Sequence, residues 1–508
     1  MSKHMATISV DNREIKVKDG ALLIEELLAN GIEIPHFCYH PALGKDGNCR
    51  MCMVEIEGKK RPQIACDTPI VDGMVIRTKG DMIQRVKRQI LEMELINHPI
   101  DCPICDQAGE CSLQNYYMDV GLYESRLSTP KTRGRKHVDI GANVVLDQER
   151  CVLCTRCVRF TKEITKTKEL GVLNRTDHSV ITTFPGKPLS NPYAMNVVDL
   201  CPVGALTSKD FRFNKRVWLL EPDEAICNGC SKGCSLYVDH HKAKYENDSI
   251  FRYRPRFNDK VNGYFICDVG RLSYKNENKN REAYSLIRGQ KSEYEYATGK
   301  LLRLLKRHHS KTLFLISPSL SLEEMVKVKK LAKKYDAKLS GYDISEYDKS
   351  FGDDYLKCND LSSNRRGFNL LNINEEKNIL EDFAEKAELV VLIGREDIDT
   401  IANLSNIEVK VVISAKMPKE ESFYDLYLPI LTHMSREGSF INIDGFLQFN
   451  KSKVECSLET QSLTQVISNI LEDNIFTCKD IWKNDLSKVI TDIKFEDIQK
   501  NSKKMSIS

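Results

Sequence analysis

The chain has 508 residues, 75 basic against 72 acidic side chains, a formal charge of +3 at pH 7, and 18 cysteines. Single cores rarely grow beyond about 250 to 300 residues, so one core is excluded and about three to five domains are expected. The near-balanced charge excludes a broad field for nucleic acid or an anionic membrane surface. No stretch approaches the ~18 consecutive apolar residues of a membrane-spanning helix.

Met1 to Val10 carry neither an apolar signal region nor an Arg-rich amphipathic pattern, so a reducing cytoplasm is the expected compartment. Residues 7–17 predict two short strands, Thr7 to Val10 and Glu14 to Val17, joined by Asp11-Asn12-Arg13. Leu22, Leu23, Leu27 and Leu28 then form the apolar stripe of a helix that Gly31 stops. A second amphipathic helix is expected over 81–97, with Ile83, Val86, Ile90 and Met93 on one side and His98-Pro99 at its end. The basic run Lys131 to Lys136 reads as a solvated loop. From about residue 300 the pattern changes. Strand-like runs at Leu313 to Ile316, Leu389 to Ile393 and Val409 to Ile413 alternate with helices, implying parallel strands covered by helices on both faces. Ser321 and Glu324 predict a capping box for a helix carrying Leu322, Met325, Leu331 and Tyr335. Residues 456–508 are rich in Lys, Asp and Ser with broken periodicity and read as a peripheral, partly mobile tail.

Most of the cysteines lie between Cys38 and Cys267, in four groups spaced like the ligands of metal clusters. Short C-x2-C spacings let one loop turn two sulfurs inward, and a distant ligand closes the site. Cys38, Cys49, Cys52 and Cys66 follow the logic of a plant-type [2Fe-2S] site, with a four-cysteine zinc site as the alternative. The second group has only three cysteines, Cys102, Cys105 and Cys111, so His98 is the candidate fourth ligand; the alternative is that His98 merely ends its helix before Pro99. An imidazole in place of a thiolate removes negative charge and raises the potential. Cys151, Cys154 and Cys157 with the later Cys201-Pro202 form a bacterial ferredoxin-type [4Fe-4S] pattern, flanked by Arg156 and Arg159, for which a solvated position is the plain alternative. Cys227, Cys230, Cys234 and Cys267 suit another [4Fe-4S] cluster or, alternatively, zinc. Cys358, Cys456 and Cys478 are widely spaced and read as thiols with no His or Cys partner nearby. Neither G-x-G-x-x-G after a strand nor G-x-x-x-x-G-K-[ST] is present, and no nucleophile motif stands out. The combination implies an electron relay with no substrate site of its own. A redox-silent zinc scaffold is the competing reading.

The strings Ile34-Pro35-His36-Phe37-Cys38-Tyr39-His40-Pro41, Gly47-Asn48-Cys49-Arg50-Met51-Cys52 and His98-Pro99-Ile100-Asp101-Cys102-Pro103-Ile104-Cys105-Asp106-Gln107-Ala108-Gly109-Glu110-Cys111 resemble the large iron-sulfur subunit of respiratory complex I, a proton-pumping NADH:quinone oxidoreductase. The likeness continues through Cys151 to Cys157, Asp199-Leu200-Cys201-Pro202-Val203-Gly204-Ala205-Leu206 and the fourth group, and covers roughly residues 5–275. It implies one [2Fe-2S] and three [4Fe-4S] clusters, with His98 a ligand of the second. The first three sites would lie on a route from flavin to quinone, and the fourth would be an off-path cluster found in some bacteria. Partners would be other peripheral-arm subunits, including a flavin-bearing subunit and a downstream iron-sulfur subunit. The chain would lie on the cytoplasmic side of the plasma membrane and reach it only through the complex. The first 220 residues would fit almost as well in an NAD-linked hydrogenase or formate dehydrogenase.

Beyond 275, Asp425-Leu426-Tyr427-Leu428-Pro429 and Glu437 to Gln448 are similar to segments of molybdopterin oxidoreductases, but Phe446 stands where Arg is usual, so no pterin or molybdenum is expected. The resulting fold class is a multidomain α+β and α/β chain. Its expected parts are a β-grasp [2Fe-2S] ferredoxin domain (1–80), a small helical His/Cys cluster domain (81–137), a ferredoxin-like [4Fe-4S] domain (138–220) and a four-cysteine cluster domain (221–275). A reduced molybdopterin-oxidoreductase-like α/β domain (276–455) and the tail (456–508) complete it.

Overall fold

The computed structural model describes residues 4–121, 124–126, 128–176, 178–242, 248–280, 284–341, 348–373, 386–394, 407–419, 421–456 and 460–505. The chain divides into two compact units, Met1–Leu219 and Leu220–Ser508.

In the N-terminal unit β1 (Met5–Val10) and β2 (Arg13–Lys18) form the expected antiparallel hairpin. Its turn residues Asp11 and Asn12 have φ of +48° and +69°, the left-handed backbone that tight hairpins require. The helix α1 (Leu23–Ala29) buries Leu23, Ile24 and Leu27, and Gly31 follows at φ +74°. With β3 (Met53–Ile56), β4 (Gln63–Ile64) and β5 (Val75–Arg77) the hairpin makes a mixed five-stranded sheet in the order β2-β1-β5-β3-β4. The helix α2 (Asp81–Leu95) stops two residues short of the expected end. Met93 is 62% exposed, against expectation, because the buried stripe runs through Ile83, Lys87, Ile90 and Leu91 and turns away from that position. After α3 (Ser112–Val120), β6 (Val138–Asp139) and β7 (Val144–Leu146) form a small sheet with β10 (Leu206–Ser208). Between them come α4 (Arg156–Arg159), the hairpin β8 (Leu170–Leu173) and β9 (Val180–Thr183), and α5 (Asn196–Leu200). Residues 131–137 are exposed, as expected of a solvated loop, although Lys136 pairs with Glu149 at 2.6 Å.

The C-terminal unit opens with an antiparallel sheet of β11 (Glu221–Ile226), β12 (Ser235–Lys242) and β13 (Asp248–Pro255), followed by α6 (Asp268–Leu272) and α7 (Tyr274–Asn280). A seven-stranded sheet comes next: β14 (Leu286–Ile287), β15 (Gln290–Lys291), β16 (Thr312–Ile316), β17 (Lys338–Gly341), β18 (Leu389–Ile393), β19 (Val409–Ser414) and β20 (Leu426–Pro429), in the order β15-β14-β20-β19-β18-β16-β17. The run from β17 through β16, β18 and β19 to β20 is parallel. Alternate side chains enter two cores: Phe314, Val391 and Ile413 on one face, Leu315, Val390 and Val412 on the other. That explains the uninterrupted apolar runs in the sequence.

The first face is covered by α8 (Tyr294–Arg307) and α9 (Leu322–Lys334), the latter opened by the full Ser321/Glu324 capping box. Beyond these come α10 (Arg365–Leu370) and the hairpin β21 (Gly438–Ile441) and β22 (Phe446–Asn450).

The expected tail is different. Residues 457–459 and 506–508 lie outside the described residues, but α11 (Leu463–Leu471) and α12 (Cys478–Asn484) send Leu463, Ile467, Ile481 and Trp482 into the same core as β16. Trp482 Nε1 donates to the fully buried Glu323 at 2.9 Å, and the short strand β23 (Lys503–Lys504) pairs with β22. The segment is therefore core rather than periphery. Its polar residues mark the outer faces of short helices whose apolar faces are too brief for periodicity to register.

Candidate metal centres

The first cysteine group is built on the loop between α1 and β3 and on the turn after β4. Cys38, Cys49, Cys52 and Cys66 are all buried, and their thiols interact: Cys49 with Cys38, and Cys66 with both Cys38 and Cys52. These contacts drive the Cys38 and Cys52 thiols down and the Cys49 and Cys66 thiols up. The main-chain N–H groups of Phe37 and Cys38 both donate to Cys49 Sγ at 3.5 Å. Amide donors aimed at sulfur stabilise a thiolate ligand.

The second group surrounds one apolar cavity lined by His98, Cys102, Cys105, Cys111 and Gly204, with Leu95, Leu113 and Tyr117. His98 lies three residues beyond the last residue of α2 rather than ending it, and its buried Nδ1 has no hydrogen-bond partner. Burial, reinforced by the Arg150 charge, pushes its pKa down to about 4, so the imidazole is neutral at physiological pH. A neutral, desolvated ring with an orphan nitrogen among three thiols fits a metal ligand. Gly204 supplies the space opposite: a Cβ there would collide with Cys105 Sγ. Arg150 braces the loop, donating to Asp101 at 2.7 Å and pairing with Asp147 at 3.1 Å, and Arg216 donates to the carbonyls of Cys105 at 2.6 Å and Pro103 at 2.5 Å.

The third group lines another apolar cavity, with Cys151, Cys154, Cys157 and Cys201 ringed by Leu146, Val152, Ile181 and Val203. Leu153 and Thr155 adopt φ of +49° and +61°, a left-handed conformation unfavourable for such residues, and so turn the C-x2-C-x2-C loop back on itself. Burial holds the Cys154 thiol up at about 12 and raises Cys151, Cys157 and Cys201 as well. Thiols in so dry a site shed their protons only when a cation replaces them.

Arg156 and Arg159 are not solvated. Each is 8% exposed. Arg156 donates to the carbonyls of Tyr39 at 2.5 Å and Leu200 at 3.2 Å; Arg159 donates to those of Leu43 at 2.9 Å, Gly44 at 3.1 Å and Cys38. These two guanidinium groups tie the third loop to the first. Asn48 adds a bond to the Leu153 carbonyl at 3.0 Å, and Ser112 N donates to the Pro202 carbonyl at 2.9 Å. Phe37, Cys38, Cys49, Ile90, Cys111, Leu113, Cys154 and Val203 belong to one core, so three cysteine groups share a single packed interior. Sequence reasoning missed this use of the arginines because spacing carries no information about which carbonyl a side chain will meet.

The fourth group lies in the second unit, on the β11–β12 turn and at the start of α6. Cys227 N donates to the Cys234 carbonyl at 2.8 Å, and the Cys267 sulfur caps α6 by accepting from Gly270 N at 3.3 Å. Burial raises Cys227 to about 12 and raises Cys234 and Cys267. The Glu437 to Gln448 segment grips this loop: Ile443 N donates to the Ser231 carbonyl at 2.8 Å, Asn442 Nδ2 to that of Lys232 at 3.1 Å, and Gln448 Nε2 to that of Gly233 at 2.9 Å.

One expectation is overturned here. Cys358 has a cysteine neighbour, since Cys230 is the first cause of the rise of its thiol pKa, while its Sγ donates to the Leu356 carbonyl at 3.8 Å. Among the described residues no three His, Cys, Asp or Glu side chains converge tightly enough for a single metal ion, and the second and third groups ring cavities instead. Also among the described residues, no helix is long and apolar enough to cross a membrane.

Three family models match the chain. They are described as a 2Fe-2S iron-sulfur cluster binding domain over residues 3–81, an NADH-ubiquinone oxidoreductase-G iron-sulfur binding region over 87–126, and the NADH-quinone oxidoreductase subunit 3 ferredoxin-like domain over 141–207. The G subunit of NADH-quinone oxidoreductase from Streptomyces coelicolor is 37% identical over 297 residues, 58% of this chain and 35% of that protein. The protein of the same name from Rickettsia felis is 33% identical over 395 residues, 77% of this chain and 55% of that protein. The chain thus spans from about a third to just over half the length of these relatives. A crystal structure of an NAD+-reducing [NiFe]-hydrogenase in the H2-reduced state is 31% identical, with a TM-score of 0.38, covering 42% of this chain and 91% of that chain.

Proposed function

We propose, for a chain whose iron-sulfur region belongs to the family of the NADH-quinone oxidoreductase G subunits, that it is an electron relay in the peripheral arm of such a complex. The observation that carries this reading is the single buried core shared by the first three cysteine groups, clamped by Arg156 and Arg159. Bound there, iron-sulfur clusters would supply one-electron chemistry.

The residues of this chain hold, orient and dry the sites. Cys38, Cys49, Cys52 and Cys66 would hold a [2Fe-2S] cluster in a β-grasp domain. His98, Cys102, Cys105 and Cys111 would hold one [4Fe-4S] cluster, Cys151, Cys154, Cys157 and Cys201 a second, and Cys227, Cys230, Cys234 and Cys267 a third, beside the main route. The buried guanidinium charges of Arg156 and Arg159 offset the negative charge of thiolate ligands on both sides of the clamp. The α/β sheet of the second unit would be a reduced molybdopterin-oxidoreductase-like domain without pterin. In this reading the segment similar to a pterin-binding one has become a brace for the fourth cysteine loop. The partners would be a flavin-bearing subunit upstream and an iron-sulfur subunit downstream, on the cytoplasmic side of the membrane.

The test is iron, zinc and acid-labile sulfide per chain in anaerobically purified protein. Four filled sites hold about 14 irons with as many sulfides. About 10 irons with one zinc would make the fourth group structural, and zinc with little sulfide would overturn the relay.

A further inference from the structure

The second unit carries a cavity of about 270 Å³ that none of the cysteine groups lines. Its walls are the loop after β13, the strand β22 and the end of a short helix, α13 (Phe495–Lys500). Four cations, Arg256, Lys260, Lys451 and Lys500, face two carboxylates, Glu224 and Asp259, so two positive charges are in excess. Glu224 is already engaged, accepting from Lys451 Nζ at 2.5 Å. Arg256 Nη1 stays 3.8 Å from that carboxylate, beyond hydrogen-bond range, and Arg256 Nε is buried without a hydrogen-bond partner. Among the described residues, the exposed Lys260 and Lys500 have no ion-pair partner.

The neutral wall is built differently, because its polar side chains bond one another. Asn258 Nδ2 donates to Ser502 Oγ at 2.8 Å and to Ser235 Oγ at 3.0 Å, Ser502 Oγ to Gln448 Oε1 at 3.3 Å, and Gln448 Nε2 to the Gly233 carbonyl at 2.9 Å. Asn258 and Gly263 also exchange main-chain bonds of 3.0 and 2.7 Å. The wall is thus a fixed mesh with its hydrogen bonds spent, whereas the cations still lack acceptors. Phe257 gives the cavity an apolar side and is held by stacking on Tyr264, with ring centroids 4.3 Å apart. Guanidinium and ammonium donors converging on one space suit phosphate oxygens. A phosphate group carries about −1.5 to −2 at pH 7, which matches the excess charge.

We infer that this cavity binds a phosphate dianion, either inorganic phosphate or the head of a monoester whose carbon part lies against Phe257. Arg256 is the principal donor, and Lys260 and Lys500 add charge. The inference does not depend on what the fourth cysteine group holds.

The experiment is isothermal titration calorimetry of the full-length, anaerobically purified protein in phosphate-free buffer. Its probes are inorganic phosphate and adenosine 5′-monophosphate, with chloride at matched ionic strength as the blank. At least one probe should bind with Kd below about 1 mM. Arg256→Gln should weaken that binding by about tenfold or more, and Lys260→Gln combined with Lys500→Gln should weaken it too. Lys306→Gln, on α8 and outside the cavity, should leave it unchanged. Glu224→Gln should act in the opposite direction and tighten binding, because it removes a competing carboxylate; weaker binding in this variant would overturn the charge argument. Tighter binding of the nucleotide than of phosphate, lost in Phe257→Ala, identifies a monoester. Binding of phosphate at least as tight, indifferent to Phe257→Ala, identifies the inorganic ion. Failure of both probes to bind at about 10 mM, or binding unchanged in the arginine and the double lysine variants, overturns the site. Misfolding of Arg256→Gln is met by the double lysine variant, whose side chains are exposed.

Discussion

Arg159→Ala is the most direct probe of how the N-terminal unit works, because one side chain joins two cysteine loops. Its guanidinium donates to Leu43, Gly44 and Cys38 carbonyls while 8% exposed. A hydrogen bond with a charged partner contributes about 1.5 to 3 kcal/mol, and truncation leaves the carbonyls buried and unpaired. Against three such bonds stands the cost of burying the guanidinium itself, several kcal/mol, so the net loss is about 3 kcal/mol. The unit spans 219 residues. At that size 1 kcal/mol moves the melting temperature by about 2 to 4 °C, so a fall of about 6 to 12 °C is expected.

Differential scanning calorimetry of the anaerobic protein measures the shift, with the exposed Arg85→Ala as control. Redox titration should show the clusters of the first and third sites moving to lower potential, since a nearby positive charge is gone. Arg159→Lys should recover part of the stability, because an ammonium reaches one carbonyl where the guanidinium fork spans three. A melting shift within about 2 °C of the control would refute the clamp.

Glu94 on α2 has its pKa raised to about 7, first by burial and then by the Cys38 thiolate. The folded state therefore holds the proton that the unfolded chain releases near its ordinary value of 4.5, so this contribution to stability is lost as pH rises from about 4.5 to 7 and is flat above that. Melting curves of Glu94→Gln across this range should lack that decline; parallel curves for the two proteins would count against it. Gly204→Ala should displace Cys105 and cost the second cluster, about 4 irons, with the other sites filled; full iron content would mean the loop yields. His98→Cys should keep that cluster but lower its midpoint potential, because a thiolate adds negative charge, and an unchanged potential would exclude His98 as a ligand. Trp482→Ala should destabilise the second unit by about 3 to 5 kcal/mol, read from denaturant unfolding; a loss under about 1 kcal/mol would return that segment to the periphery.

The sequence by itself determined which residues group together. Ligand spacing is a local property, and C-x2-C loops, the helix-strand alternation after residue 300 and the Ser321/Glu324 cap are all encoded within a few residues of one another. The parallel sheet was legible for the same reason: strands buried on both faces need continuous apolar runs such as Leu389 to Ile393. Only the tertiary structure decided which groups share an interior. Arg156 and Arg159 lie more than 110 positions from the first-site carbonyls they bind, Cys358 lies 128 positions from Cys230, and Trp482 is 159 positions from Glu323. Contacts of that separation leave no periodicity to read. They exist because desolvated charges, thiols and indole N–H groups must find partners wherever the packed chain brings one within reach.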